Sequence, residues 1–530
     1  MVNRCTNCGG LLVYDIATGK LKCEFCDSLF NPAEYKAQTE ATEEQDPASM
    51  DVNIFTCPNC GGQVSSTEAD AVEYCMYCGS FVTLQSQLSK IKTPDYIIPF
   101  KKTKEECKEA YGKMIRKKLY APKEFKDPSF LEGFKGIYIP FWSYEYSFGP
   151  NVHLQGEKET RNGDYVSTQH YDIDVKAEGE VTGVDFDASS HFDDELSGKI
   201  VPYTTGSIEP FNSAYMFGFY GDTADVNKSA YQGDADDMAR GMIWDDVSND
   251  PKVADGSPVK PDGKEFDKAF SIKKKARLSM MPVWFLTWRK NDRVAYSVMN
   301  GETGELFSEV PIDFKKYLLV SLLCAIPIFF IMNMLFTVNA SNMLFLSLTL
   351  SLLMLILYSF ELDSIVKRTL HSEDKGYLSK HKDAAKEANK VSTNFLSSAL
   401  SFLGDMLKAG KFIGIVVAFF VIVGFGSQFL FVLIILAVFV PIYTMYRIGK
   451  DSHLLHDGTV WLDILGSLLA LVISILMLIA DPAGDVFYYF AAIICMIAIG
   501  ITASCAMRRY NQLATRPLPH FFNRKAGGES

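Results

Sequence analysis

Residues 5–26 read CTNCGGLLVYDIATGKLKCEFC, and residues 57–78 read CPNCGGQVSSTEADAVEYCMYC. Each stretch is Cys-x2-Cys-x14-Cys-x2-Cys, with Cys5, Cys8, Cys23 and Cys26 in the first and Cys57, Cys60, Cys75 and Cys78 in the second, an offset of 52 residues. A CxxC turn presents two thiolates to one point, so two such turns supply the four sulfur ligands of a tetrahedral Zn2+. Glycines follow three of the four turns, in CTNCGG, CPNCGG and CMYCGS. A residue that tolerates positive φ there leaves backbone amides free to point at sulfur. Disulfides are the competing use of eight cysteines, but nothing like a secretory signal precedes Cys5 and polar residues follow it at once. The N-terminus is therefore expected to stay in a reducing cytosol. A thioredoxin-type pair would use one CxxC, not two in register. Two Zn2+ per chain are expected, with iron the alternative that an all-thiolate site leaves open.

Outward from these clusters, the 530-residue chain divides sharply. Residues 1–316 are polar and charged, and the remainder is largely apolar. The apolar runs are Tyr317 to Val338, Met343 to Phe360, Phe412 to Tyr446, Leu462 to Ala480 and Val486 to Ala506. Four of them match the roughly 20 residues a spanning helix needs. The run from 412 to 446 carries Gly424, Gly426, Ser427 and Gln428 near its middle, and charge decides how to read it. Lys and Arg gather at Lys315 and Lys316, in the 361–411 loop, at Arg447 and Lys450, and from Arg508 to Lys525; the short connections contain none. Positive loops stay cytoplasmic, so the 412–446 run must go out and return. Six spans follow, with a re-entrant pair in 412–446 giving the same sidedness. Asp463 sits at the end of a run, so the spans read as lacking buried charge, which favours an anchor over a pump. Before the hairpin, Phe395, Ala399, Phe402, Leu403 and Met406 recur at helical spacing. That pattern fits a helix in the membrane interface or one packed on the soluble domain.

Between ribbons and spans, Thr103 and Glu106 form a capping box ahead of an apolar stripe of Cys107, Ala110, Tyr111, Met114 and Ile115. Cys107 is thus read as a core residue. Lys108, Arg116, Lys117 and Lys118 occupy the opposite face, solvated or against anionic headgroups. From Gly136 the pattern becomes period two: GIYIPFWSYEYSF, DYVSTQHYDIDV, MPVWFLTWR, RVAYSVMN and GELFSEV, with turn signals at Asn162-Gly163 and Asn300-Gly301. With a helix expected within 223–247, this is an α+β domain built on a mainly antiparallel sheet.

Charge and motif content narrow the function. From Gly156 to Lys268 there are 25 acidic and 10 basic side chains, a net of 15 negative, and Cys57 to Cys78 contains Glu68, Asp70 and Glu73 but no Lys or Arg. Such a surface repels a phosphate backbone, so nucleic acid is disfavoured as a ligand. No phosphate loop, dinucleotide turn, GxSxG elbow or HExxH is present. His153, His170 and His191 read as surface polar residues, and His453 with His456 offers too few ligands for a metal site. No catalytic residues are assigned.

The paired CPxCGG-type ribbons, the stretch YIIPFKKTKEECKEAYGKMIRKKLYAPKEF, the GIYIPFW strand and the SVMNGETGELFSEVPID hairpin together resemble a bacterial family of membrane-anchored, transcription-factor-IIB-type zinc-ribbon proteins. The resemblance covers about residues 1–313. Some members carry labels borrowed from primosomal helicases, whose motifs are absent here. The resemblance implies action with flotillin-like or phage-shock-like membrane proteins, hence a scaffold role in membrane stress at the bacterial inner membrane. The expected plan is a multidomain chain: zinc ribbons at 1–30 and 54–83 joined by a flexible acidic linker at 31–53; a cytosolic α+β domain at 95–313; and transmembrane helices at 317–360. A cytosolic loop with an amphipathic helix at 361–411, a transmembrane hairpin at 412–446, two further helices at 462–506 and a cytosolic tail at 507–530 complete it. The linker is expected to let the ribbons move independently. The expected function is a membrane-anchored zinc-binding adaptor that recruits a protein partner, with oligomers allowed. A channel or transporter regulated by the ribbons and a membrane-tethered nucleic-acid regulator are the rivals.

Overall fold

The computed structural model describes residues 4–35, 49–66, 74–82, 85–163, 165–254, 256–335, 340–371, 430–455 and 460–522. Its strands are β1 (Leu12–Asp15), β2 (Lys20–Cys23), β3 (Leu29–Phe30), β4 (Ser49–Thr56), β5 (Gln63–Ser66), β6 (Gln85–Lys92), β7 (Tyr96–Ile97), β8 (Lys135–Phe148) and β9 (Asn151–Asn162). They continue with β10 (Tyr165–Lys176), β11 (Gly179–Asp187), β12 (Glu209–Pro210), β13 (Tyr220–Gly221), β14 (Lys273–Lys290), β15 (Arg293–Asn300), β16 (Leu306–Ser308) and β17 (Arg516–Pro517). The helices of the same region are α1 (Lys104–Lys117), α2 (Pro128–Leu131), α3 (Asp194–Ile200), α4 (Gln232–Ser248), α5 (Pro251–Ala254) and α6 (Gly263–Ala269).

The alternation in GIYIPFWSYEYSF yields β8, and β14 pairs with it antiparallel from Lys273↔Ser147 to Phe285↔Lys135. These two strands form the spine of a twelve-stranded sheet ordered β12-β7-β14-β8-β13-β5-β4-β6, with β11 also on β8 and β15 carrying β16 and β17 beside β14. Because successive side chains of a strand point to opposite faces, the spine builds two cores at once. Tyr138, Trp284 and Leu286 face one, together with Leu12, Tyr14 and Leu21 of the first cysteine module and Tyr111 and Ile115 of α1. Ile137, Ile139, Val283 and Phe285 face the other, together with Phe55 and Tyr77 of the second cysteine module, Phe192 and Leu196. The first module thus packs on one face of the sheet, while the second, whose β4 and β5 are strands of that sheet, packs its aromatic side chains on the other. Strands β9 and β10 form a separate hairpin whose base packs Val152 and Leu154 against Ile243, Val247 and Phe266.

This arrangement corrects the expected flexible linker over 31–53. Asn31 to Tyr35 form a turn in which Tyr35 is buried and its hydroxyl donates to the Arg4 carbonyl at 2.8 Å. Residues 49–53 belong to β4, which pairs with β5 and β6. Residues 36–48 lie outside the described set. Each module contributes side chains to a core of the sheet. The capping box at Thr103 and Glu106 is formed, and Cys107, Tyr111 and Ile115 are buried on α1, as the stripe required. The expected helix within 223–247 is α4, which begins after a short turn at Lys228–Ala230.

Beyond the sheet lie helices α7 (Phe314–Leu335), α8 (Ala340–His371), α9 (Leu430–Leu455), α10 (Val460–Ala480) and α11 (Asp485–Leu513). Among the described residues, three helical segments are long and apolar enough to cross a membrane: Leu344–Leu362, Val460–Ala480 and Asp485–Leu513. Helix α8 runs past the expected loop boundary at 361 to His371. Small residues let α10 and α11 approach closely. A Cβ on Gly466 would stand 2.2 Å from the Ala498 carbonyl oxygen, and the Ser467 amide donates to Thr502 Oγ1 at 2.9 Å. The expected interfacial helix near 395–406 and the first half of the 412–446 hairpin lie outside the described residues; α9 covers the second half.

Candidate metal centres

In the first module a turn ties the Cys5 amide to the Gly10 carbonyl at 2.7 Å and the Gly9 amide to the Cys5 carbonyl at 2.8 Å. The opposing turn ties Cys23 N–H to the Ser28 carbonyl at 3.0 Å and Asp27 N–H to the Cys23 carbonyl at 3.1 Å. The second module repeats both: Cys57 to Gly62 at 2.9 Å, Gly61 to Cys57 at 2.8 Å, Cys75 to Ser80 at 2.9 Å and Gly79 to Cys75 at 2.9 Å. The residue after each second cysteine has positive φ: Gly9 at 73°, Gly61 at 80°, Gly79 at 66° and, where glycine is missing, Asp27 at 54°. Aspartate is one of the few residues that enter this region at modest cost. The turns also aim amides at sulfur, with Asn7 N–H 3.4 Å from Cys5 Sγ and Gly62 N–H 3.4 Å from Cys60 Sγ.

The eight expected ligand residues form two groups, Cys5, Cys8, Cys23, Cys26 and Cys57, Cys60, Cys75, Cys78, whose sulfurs within each group all lie within 4.8 Å of one another. Cross-turn separations are 3.7 Å for Cys5 to Cys26, 3.4 Å for Cys8 to Cys23, 3.8 Å for Cys57 to Cys78 and 3.7 Å for Cys60 to Cys75. A tetrahedron with metal–sulfur bonds of about 2.3 Å has edges of about 3.8 Å, so both groups fit one metal ion without rearrangement. Acidity points the same way. Hydrogen bonds from Ser28 bring the Cys26 thiol down to about 6, and those from Cys60 and Cys75 bring Cys57 down to about 7. Cys60 and Cys75 are pushed up chiefly by hydrogen bonding to Cys57, so protons are shared unevenly among crowded sulfurs. A bound cation would take the place of those protons. Cys107 stands apart in the core, where burial raises its thiol.

The surroundings of the two groups differ. Cys8 and Cys26 are exposed, whereas all four cysteines of the second group are buried. Their cover comes from far along the chain. After α11, β17 pairs with β15 through Arg293↔Pro517 and Val294↔Arg516. Arg516 meets three carboxylates, its Nε at 2.9 Å from Glu309 Oε1, Nη2 at 3.2 Å from Glu195 and Nη1 against Asp193. The Phe521 amide then donates to the Cys60 carbonyl at 2.7 Å, and its ring packs on Tyr77 and His191 at 5.5 and 4.8 Å between centroids. On the other flank, Arg289 Nη1 lies 3.4 Å from the Cys78 carbonyl, and the Tyr296 hydroxyl donates to the Tyr77 carbonyl at 2.6 Å.

Two readings of polar residues need correction. His153 and His170 are exposed on the β9–β10 hairpin beside Asp174 and Glu157, as surface residues. His191 is not: its side chain is buried, with Nδ1 at 3.4 Å from Asp222, which also accepts from the Ser189 hydroxyl at 2.5 Å. This polar cluster supports the second module from below. Asp463, taken as lying at the end of an apolar run, is 1% exposed and receives Arg509 Nε at 2.7 Å, Arg508 Nη2 at 3.1 Å and the Tyr358 hydroxyl at 2.9 Å. The helical region therefore does hold a buried charge, paired where α8, α10 and α11 meet. The signal was present as an aspartate at the second residue of one apolar run and two arginines just after the end of another. His456 is outside the described residues.

No family model matches the chain, and no solved structure matches it. Among curated proteins it is similar to the uncharacterized protein YdjG of Bacillus subtilis (strain 168), with 24% identity over 318 residues, or 59% of this chain and 91% of that protein. Nearly the whole of that relative thus has a counterpart within this longer chain.

Proposed function

We propose that this protein is a membrane-anchored, zinc-binding adaptor that recruits a protein partner to the bilayer, acting by recognition and not by catalysis. Each cysteine group, read as a zinc ribbon, holds one Zn2+; the observation that carries this is the pair of four-sulfur groups with tetrahedral spacing. Zinc at such sites lets small modules fold without large cores of their own.

The anchor is six spans with both termini in the cytosol of the bacterial inner membrane. Supporting this, α7 leaves the sheet domain at Phe314 and the chain returns to it at Arg516, which requires an even number of crossings. Tyr120 packs on Tyr317 at 5.2 Å, so the exposed Arg116, Lys117 and Lys118 stand beside the start of α7, where anionic headgroups would meet them. The resemblance to membrane-anchored zinc-ribbon proteins favours a flotillin-like or phage-shock-like partner. The net negative middle region weighs against nucleic acid. Asp463 gives the transport reading one supporting observation, and ion flux in reconstituted vesicles tests it.

The deciding experiment is crosslinking in native membranes with identification of captured proteins, alongside metal analysis of the purified chain. Two zinc per chain and one reproducible partner are expected; fewer than two metal ions, or no partner, would remove the respective half of the reading.

A further inference from the structure

The 52-residue repeat makes one module a map of the other. Gly9 and Gly10 correspond to Gly61 and Gly62, and Phe25 to Tyr77. Within each module the aromatic lies over the second glycine: a Cβ on Gly10 would meet Phe25 Cδ2 at 2.8 Å, and one on Gly62 would meet Tyr77 Cδ2 at 2.6 Å. What lies on top differs. On the second module the strap carrying Phe521 and the 62%-exposed Phe522 lies on the seat: Tyr77, packed also on Phe285 and His191, is 2% exposed, and a Cβ on Gly61 would meet the Phe522 amide nitrogen at 2.9 Å. On the first module Phe25 is 81% exposed, and a Cβ on Gly9 would meet nothing within 4 Å.

We infer that this face of the first module, formed by Cys8, Gly9, Gly10 and Phe25, is the docking seat for an extended segment of a partner protein that carries two adjacent aromatic residues. The inference rests on the adaptor reading and names the surface that would perform it. The occupant's chemistry is read from the filled copy: a backbone N–H donates to the carbonyl of the second cysteine, as Phe521 does to Cys60 at 2.7 Å, while an aromatic ring covers the module's own. The rim adds a preference. Where the second module has Met76 and Gly79, the first has exposed Glu24 and Asp27, the latter 3.1 Å from Lys22. A basic residue beside the aromatic pair would complement Glu24.

The probe is a fluorescein-labelled peptide amide, TRPLPHFF, copied from residues 515–522, added to the zinc-loaded full chain in detergent. Saturable anisotropy is expected. Phe25→Ala should weaken it about tenfold or more, the loss that uncovering one aromatic ring implies. Phe25→Tyr should retain it, and two metal ions per chain should report that each variant is folded. A benzophenone in place of the first Phe should crosslink within residues 5–27. Absence of saturable binding, equal binding of TRPLPHAA, or crosslinks confined to the second module would overturn the seat. Dimers of the full chain that the peptide disperses would also overturn it, by making the occupant another copy's strap. If membrane crosslinking still captures a partner while the peptide fails, the adaptor reading survives without this surface; if both fail, neither stands.

Discussion

Replacing Arg516 by alanine tests whether the returning strap is held by charge. The guanidinium side chain is 15% exposed and bonds Glu309, which is 2% exposed, as well as Asp193 and Glu195 at 27% and 33%. Burial opposes its charge, yet Asp193, Glu309 and Glu195 more than offset that and raise its pKa, so it stays protonated wherever the protein is folded. Removing one partner of a buried pair typically costs 3–5 kcal/mol; with two of the three carboxylates partly solvated, about 3 kcal/mol is expected here. That corresponds to roughly a hundredfold in the local opening equilibrium. Hydrogen exchange of the full chain should therefore show amides of residues 514–522 losing about two orders of magnitude of protection. Cys60 should also become reactive to a thiol reagent as Phe521 lifts away. The double variant Glu309→Gln with Arg516→Gln, which leaves no buried ion alone, should recover much of the protection. Unchanged exchange in the single variant, or a double variant that opens as readily, would refute an electrostatic clamp.

Three further outcomes are expected. A chelator such as 4-(2-pyridylazo)resorcinol should extract one metal ion quickly, from the group with exposed Cys8 and Cys26, and the second slowly, from the buried group; simultaneous release of both would contradict the difference in cover. Burial pushes the Asp185 carboxyl up to about 6, against a hydrogen bond from Ser143 that lowers it. The folded protein then holds a proton that the unfolded chain has lost between about pH 4 and pH 6, so stability falls as pH rises through that window and the penalty persists above it. Asp185→Asn should stabilise by about 1–3 kcal/mol at pH 7.5 and by nothing at pH 3.5, and an equal gain at both pH values in thermal unfolding would disprove the assignment. Gly466→Ala would drive a methyl into the Ala498 carbonyl across the α10–α11 contact. It should lower resistance to denaturing detergent by about 1–3 kcal/mol, and a neutral result would mean that the two helices do not pack at this distance.

Much of the local structure was legible because each signal is periodic or spaced. Metal-type ligation fixes Cys-x2-Cys pairs, alternation marks β8, β14 and β15, and the Thr103–Glu106 box opens α1. Less legible was everything set by pairs distant in sequence. Nothing local says that Arg516 meets Glu309, or that Arg509 meets Asp463; both arginines looked like charges of the cytosolic tail. Phe521 and Phe522, two aromatics in an otherwise basic tail, were the clue that the tail returns to the sheet, where Phe521 is buried. Asp27 hid a glycine position because its φ, not its identity, is what the turn demands. The interlinker was overestimated for a related reason: low apolar content describes residues 36–48, but Tyr35 and β4 bound it tightly on either side.

The strap also has a bearing on how the chain is made. Synthesis runs from the N-terminus, so Cys60, Tyr77 and Glu309 leave the ribosome before α7 to α11 exist, while the residues that cover them, Arg516 and Phe521, come only after the last of those helices. The sheet domain can begin to fold early, but its final strand and the lid on its second cysteine group arrive only when residues 314–513 have been completed and brought back to it. A chain halted or misrouted partway presents a bare cysteine group and an incomplete sheet edge, the surfaces that chaperones and proteases bind. Completion of the helical region is thereby written into the state of the N-terminal half, as a form of proofreading.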